Sequence, residues 1–369
     1  MKIDIEIYNN HYGRLKKFLR LYYKRHFFEN ATPLIISFLV TNRCFLKCKH
    51  CFYHEAINDN IKMQAFDEMS IDEYEKLSHS MDWFLTGVFC GGEPFIRDDF
   101  HCIIDIFQKN NKVSWCDSAT NGQMTDSIVT QVEKIVKNNK DQVYSLGFSI
   151  DGFEEQNDAI RGTGTFEKSM ETWRECKKLA KYYKNFDLYI CTTMNSINQH
   201  VLPDFIKWSI KALEPNKISL LKIRQTPRAG NYLKNIDPQY YKECKEIICN
   251  RVKEGLMGDV NKPQTYMLTS SYDYVYNTMI TGKRSFFCYA GMHGAFVDYN
   301  GDIGVCEILP IIGNLKEFDM DFSKLWNSDK AQQIRQLVNK HDLCKQCTHE
   351  AEGIMPSIFF EPNELKIIK

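Results

Sequence analysis

Residues 34–54, LIISFLVTNRCFLKCKHCFYH, decide the fold. The stretch opens with Leu34–Val40, apolar but for Ser37, the kind of run expected of a strand buried on both faces of a parallel sheet. Three cysteines follow at once, Cys44, Cys48 and Cys51, spaced C-x3-C-x2-C on the loop that closes this strand. In parallel sheets chemistry collects beyond the carboxyl ends of the strands, and the cysteine loop lies there.

Strand-like and helix-like patterns alternate from this point to about residue 223. Further strands are expected at Phe84–Cys90, Lys112–Ala119, Val143–Ile150, Leu188–Met194 and Lys217–Ile223. Helices are expected at Ser70–Ser80, with Ser70 as N-cap, and near Asp98–Lys109, Asp126–Lys137, Phe166–Lys184 and Val201–Ala212. Six strands in βα repeat predict an α/β fold whose parallel sheet is either doubly wound or curled into a full or partial barrel. The chain divides into a basic, aromatic segment (1–33), the βα core (34–235), a helical linker (236–280), a small cysteine-bearing domain (281–352) and a tail (353–369).

Composition excludes some classes of function. Lys+Arg and Asp+Glu both total 47 in 369 residues, which removes the bulk electrostatic case for nucleic acid. No stretch reaches the ~18 uninterrupted apolar residues of a membrane span, and the N-terminus lacks a secretory signal. The expected location is the cytoplasm, where clustered cysteines serve as metal ligands or catalytic thiols. Arg14–Phe28 interleaves basic and aromatic residues, and packing against the protein is preferred to a membrane-surface role. Cys102, Cys176, Cys244 and Cys249 are scattered and read as small hydrophobes.

Three thiolates can hold zinc only if His50 or His54 supplies a fourth ligand. Three thiolates on a [4Fe–4S] cube instead leave one iron open to an amine and a carboxylate. Other strand ends carry ligand-like turns. Cys90–Pro94 reads CGGEP, where two glycines permit close approach and Glu93 can pair with an ammonium group. Thr120–Gly122 reads TNG; Ser149–Gly152 reads SIDG, followed by Asp158 and Arg161-Gly162.

This ordered set, over residues 34–230, resembles the radical S-adenosylmethionine (SAM) superfamily. The resemblance implies a partial (βα)6 barrel in which Cys44, Cys48 and Cys51 hold a [4Fe–4S] cluster and SAM chelates its fourth iron. It implies that Gly91, Gly92 and Glu93 bind the SAM amino group. Ser149, Asp151 and Arg161 would serve its ribose and carboxylate, an Arg fork suiting a carboxylate. Cleavage of SAM would yield a 5′-deoxyadenosyl radical that abstracts a substrate hydrogen, with a flavodoxin- or ferredoxin-type electron donor. One departure is His50, where the family commonly has an aromatic residue.

The second cysteine group is Cys288, Cys306, Cys344 and Cys347. An apolar strand, Ala295–Tyr299, and the turn Asn300-Gly301 form a hairpin that brings Cys288 and Cys306 to one edge, and the CxxC pair can close the site. Four thiolates suit zinc or a fully ligated Fe–S cluster alike. The pattern resembles the SPASM/twitch extension of radical SAM enzymes. Because Thr348–Lys369 contains no cysteine, it matches the shorter twitch form with one auxiliary [4Fe–4S] cluster used for electron transfer.

By the same resemblance Glu307 is a candidate base. Cys90 is a candidate hydrogen-atom donor, although core packing is preferred for it. Lys222, Arg224 and Arg228 can bind phosphate or carboxylate over the barrel mouth, or be solvated. His26, His293 and His349 are read as structural. The expected reaction is dehydrogenation or epimerisation of a sugar, cyclitol or nucleoside-like metabolite. The alternatives are a peptide-modifying maturase and a non-catalytic zinc module.

Overall fold

The first strand, β1 (Ile35–Thr41), is buried along its whole length. The computed structural model describes residues 32–57, 67–258 and 263–360; the Arg14–Phe28 segment and His26 lie outside them. On one side β1 leads through parallel neighbours β2 (Thr86–Gly91), β3 (Trp115–Thr120), β4 (Val143–Ser149), β5 (Phe186–Met194) and β6 (Ile218–Lys222). Helices α1 (Ile71–His79), α2 (Phe100–Asn111), α3 (Thr125–Asn138), α4 (Glu154–Arg161), α5 (Thr165–Tyr182) and α6 (Leu202–Ala212) connect them. This is the expected α/β architecture, a partial barrel whose sheet ends at β6 without closing.

Period-2 alternation sorts the strand residues. Phe38 stacks on Phe89 at 5.1 Å and lies 4.6 Å from Phe107 of α2, so this face packs against the helices. Ser37 and Cys90, one residue away, therefore face the barrel interior. The open edge of β6 is covered by α7 (Pro238–Lys253) and α8 (Pro263–Thr281). Tyr241 donates to the Leu220 carbonyl at 3.2 Å and Tyr272 donates to that of Ile218, pairing carbonyls that an edge strand leaves free.

Some boundaries differ from expectation for local reasons. Lys112 is left-handed (φ 51°) and ends α2, so β3 begins only at Trp115. Helix α4 lies outside the expected elements, because EEQNDAIR offers only two apolar residues, Ala159 and Ile160, from which to read a buried face.

The C-terminal hairpin does not stand apart from the barrel. Its strand β7 (Gly294–Val297) pairs parallel with β1, Ile35 opposite Gly294, and continues the sheet to β8 (Asp302–Gly304) and β9 (Gly313–Asn314). Short helices α9 (Phe322–Trp326) and α10 (Asp329–Arg335) precede the CxxC pair. The expected boundary at 352/353 falls inside one buried unit, a π-helical turn (Glu350–Ile354) running into α11 (Met355–Phe360). Gly294 makes room for this turn: a Cβ there would lie 2.8 Å from the Glu352 Cα.

Candidate functional site

The cysteine loop leaves β1 and is clasped from three sides. From the β2 end, Gly92 N–H donates to the Thr41 carbonyl at 2.7 Å and Glu93 N–H to that of Arg43 at 2.8 Å. At α4 the Ile160 carbonyl accepts from Lys49 N–H at 2.9 Å. Beyond β6, Arg228 N–H donates to the Cys51 carbonyl at 3.1 Å and Ala229 N–H to that of Lys49 at 2.9 Å. The two glycines admit the chain's own loop: a Cβ at Gly91 would sit 2.3 Å from the Thr41 oxygen, and one at Gly92 2.1 Å from the Arg43 oxygen.

Cys48 is buried, and Cys44 and Cys51 are half-buried. Burial pushes the Cys44 thiol up to about 12 and raises those of Cys48 and Cys51. Thiolates at this place need a cationic partner such as a metal centre. The Asn121 amide nitrogen lies 3.9 Å from Cys44 Sγ and Arg161 Nη1 lies 4.0 Å from Cys48 Sγ.

Glu93 ties the first two turns together. Its carboxylate accepts from the Thr120 hydroxyl at 2.9 Å and from Asn121 N–H at 2.7 Å, and burial raises it to about 7. Asp151 is fully buried, accepts from Thr193 N–H at 2.8 Å and holds Arg161 Nε at 2.7 Å. His50 Nδ1 lies 3.5 Å from the same carboxylate, and burial lowers the imidazole to about 4. Ser149 stands half-buried at the end of β4. The motifs therefore converge around the cysteine loop.

The second group converges too. Cys288, Cys306, Cys344 and Cys347 line one small cavity with Ala290, Ile308, Leu309 and Val338. All fourteen cysteines are free thiols. Burial pushes Cys288 to about 12, Cys347 to about 11 and Cys306 upward. Asn339, left-handed at φ 70°, staples the site: its Oδ1 accepts from Cys288 N–H at 2.9 Å and from the Arg284 guanidinium, while its Nδ2 donates to the Cys288 carbonyl at 3.0 Å.

Between the two thiol groups lies a cluster that the sequence reading saw only in part. Arg224 rests 4.9 Å from the Phe52 ring, next to Cys51, and pairs at 2.7 Å with Glu307, next to Cys306. It is half-buried and committed to this carboxylate, not left free for phosphate. Burial raises Glu307 to about 7, against the pull of Arg224. His349, expected to be merely structural, lies with Nδ1 3.6 Å from Glu307 and hydrogen-bonds Glu352 through Nε2. Cys90 faces Glu307 and Glu352 instead of packing in the core, and its thiol is pushed up by burial and by both carboxylates. Cys176 and Cys244 do pack in the core. Glu350 and Glu352 follow the last cysteine without a recognisable motif; only their place on a buried turn marks them.

Comparisons with known proteins agree with this layout. The family model for the Radical SAM superfamily matches residues 38–201, and that for an iron-sulfur cluster-binding domain, SPASM, matches 288–348. The pre-heme d1 synthase of Dinoroseobacter shibae is 26% identical over 176 residues, 47% of this chain and 39% of that protein. The antilisterial bacteriocin subtilosin biosynthesis protein AlbA of Bacillus subtilis is 29% identical over 149 residues, 39% of this chain and 30% of the relative. These matches span less than half the length of either relative. The fold is similar to that of Streptococcus suis SuiB bound to S-adenosylmethionine, at a TM-score of 0.61 and 15% identity, over 99% of this chain and 82% of SuiB. With the cysteine loop, the strand-end turns and the four-thiol cavity in their places, the chain carries a Radical SAM superfamily domain followed by a SPASM iron-sulfur cluster-binding domain.

Proposed function

We propose that Cys44, Cys48 and Cys51 hold a [4Fe–4S] cluster that binds SAM, that Cys288, Cys306, Cys344 and Cys347 hold a second one, and that the chain oxidatively modifies a peptide. When bound, the first cluster and SAM supply hydrogen-atom abstraction, a one-electron oxidation of the substrate. Completing a two-electron oxidation requires a proton acceptor and an electron sink. Glu307 would take the proton; its burial, its place next to Cys306 and its link through Arg224 to the loop of Cys51 support that role. That bridge between the two thiol groups is the observation that carries the reading. A four-cysteine site has no open iron and suits electron uptake better than substrate coordination. Asp151 orients Arg161 toward Cys48, where it can meet a carboxylate.

Iron fits the thiol sets better than zinc. The family model matched over residues 288–348 is that of an iron-sulfur cluster-binding domain, and three thiolates without a fourth protein ligand suit a cluster with one open iron better than a closed zinc site. A peptide substrate is supported by the relative named for bacteriocin biosynthesis. Neither relative reported above is named for a sugar, cyclitol or nucleoside, so those substrates lose their place as first choice. A flavodoxin- or ferredoxin-type donor would supply the first electron.

Anaerobic reconstitution tests the proposal, with iron, sulfide and zinc quantified and SAM cleavage driven by dithionite. The expected result is about eight irons in wild type and about four when Cys44, Cys48 and Cys51 are all replaced by Ala, with 5′-deoxyadenosine formed by wild type alone. Wild type that binds zinc at the second site, or forms no 5′-deoxyadenosine, overturns it.

A further inference from the structure

The barrel interior holds more acid than base. The described charged groups facing it are Glu307, Glu350, Glu352 and Asp117, opposed by Arg224, Lys217 and His349. Arg224 is committed to Glu307 at 2.7 Å. Lys217 is committed to Asp117 at 3.0 Å and sits 4.0 Å from the Tyr189 ring and 4.4 Å from that of Trp115. His349 contacts Glu352 through one oxygen only. Asp298, at the barrel rim, accepts from the Tyr53 hydroxyl at 2.5 Å.

Two carboxylate oxygens are left over. Glu352 is fully buried and its carboxylate is eased by the Ser37 hydroxyl, yet its Oε1 has no well-formed hydrogen bond among the described residues. The Oε1 of Glu350, two residues away on the same π-helical turn, is also buried without a partner. A buried carboxylate oxygen without a donor carries a desolvation penalty that a native structure relieves by pairing. The turn itself is fixed: it packs on β1 and β7, and Gly294 admits it where any side chain would collide with Glu352. Both carboxyls are pushed up by burial, Glu352 to about 7 and Glu350 to about 8, as expected of acids awaiting a counter-charge.

From this placement we infer that Glu350 and Glu352 form a subsite for a cationic group of the substrate, a primary ammonium or a guanidinium, which completes their unpaired oxygens. The inference deepens the proposed function and rests on the barrel interior being the place where substrate is held. A cation there gains two charge-assisted hydrogen bonds in a water-poor space. An anionic substrate would face repulsion from three carboxylates, so the subsite selects against polycarboxylate ligands.

The test uses the reconstituted protein with both clusters and SAM, titrated calorimetrically with three probes: the Nα-acetyl methylamides of lysine, norleucine and glutamate. n-Butylammonium is a fourth probe that separates a free amine from a peptide side chain. The lysine probe is expected to bind at least tenfold tighter than norleucine, whose side chain ends one atom short of the ammonium, with the glutamate probe weakest. Glu350→Gln, at the less buried position, and the double variant Glu350→Gln/Glu352→Gln are expected to erase that preference. Iron content and near-ultraviolet circular dichroism verify that each variant is folded. If butylammonium also binds at least tenfold tighter than norleucine, the cation alone is recognised; if only the peptide lysine does, its backbone contributes as well, and both results support the subsite. Equal binding of lysine and norleucine by wild type overturns the inference, as does a preference unchanged in folded Glu350→Gln. Absence of SAM cleavage by the same wild-type sample would instead strike the proposed function.

Discussion

The two cysteine sites are built by opposite strategies. Cys44, Cys48 and Cys51 sit within eight residues of one loop, and neighbouring strand ends grip that loop by its backbone. Cys288, Cys306 and the Cys344–Cys347 pair come from three separate segments, joined by a side chain, Asn339, that reaches 51 positions back to Cys288. The first site depends on how closely backbones approach, and the second on side-chain hydrogen bonds. Substitutions that attack those two features should therefore have separable effects on the two iron sites.

The largest effect is expected from Gly92→Ala. The new methyl would lie 2.1 Å from the Arg43 carbonyl oxygen and 2.6 Å from its carbon, which are backbone atoms that cannot rotate away. The loop must move, at a cost of about 3 kcal/mol or more. Iron should fall to about half and SAM cleavage should vanish, with the second cluster intact in its electron paramagnetic resonance signal. Full iron content with normal cleavage would mean that the loop yields easily and that backbone approach is not what holds it.

Asn339→Ala attacks the other site. It strands the Cys288 N–H and carbonyl and releases Arg284, at a cost of about 2 kcal/mol. The second cluster should become labile to chelators while SAM cleavage persists. If both clusters are lost together, the two sites are one cooperative unit and the contrast fails.

The same contrast explains what could be read in advance. A loop with its ligands in one short run is legible because spacing alone states it, and the GGEP, TNG and SIDG turns fall at strand ends that periodicity locates. Asn339, Arg224, His349 and the Glu350–Glu352 pair act through contacts between distant segments, which no local pattern encodes. Cys90 was assigned to the core because free thiols are commonly buried; pleat alternation against Phe89 would have turned it inward. The parallel pairing of β7 with β1 was likewise invisible, since a four-residue apolar strand carries no record of its partner.

Protonation provides a third contrast. Glu93 is raised at the first site, while Glu307, Glu350 and Glu352 are raised toward the second. Each has a folded value of about 7 or 8 against 4.5 for the ordinary carboxyl, so the folded chain holds these protons more tightly than the unfolded one. The resulting stability is fully present below about 4.5 and is lost as pH rises through about 7 to 8. Denaturant midpoints of the metal-free chain should therefore fall between pH 5 and pH 8.5, by on the order of 1–2 kcal/mol per carboxyl. Glu93→Gln should remove a smaller part of this slope than Glu307→Gln combined with Glu352→Gln. A slope governed by Glu93 alone would place the strain at the first site.

The smallest effect separates a local cap from a tertiary staple within the second site. His341 Nδ1 accepts from Leu343 N–H at 3.2 Å and caps the short turn Asp342–Cys344. It does for that turn what Asn339 does for Cys288, but through an exposed hydrogen bond to the exposed Leu343. When His341 is replaced by Ala, water can reach the freed Leu343 N–H, so the expected cost is under about 1 kcal/mol. Iron content, measured after a chelator challenge that strips the Asn339→Ala variant, should match wild type. Equal lability of the two variants would mean that the CxxC turn must be preformed before the remote cysteines can close on it. The second site would then depend on local order as much as the first does.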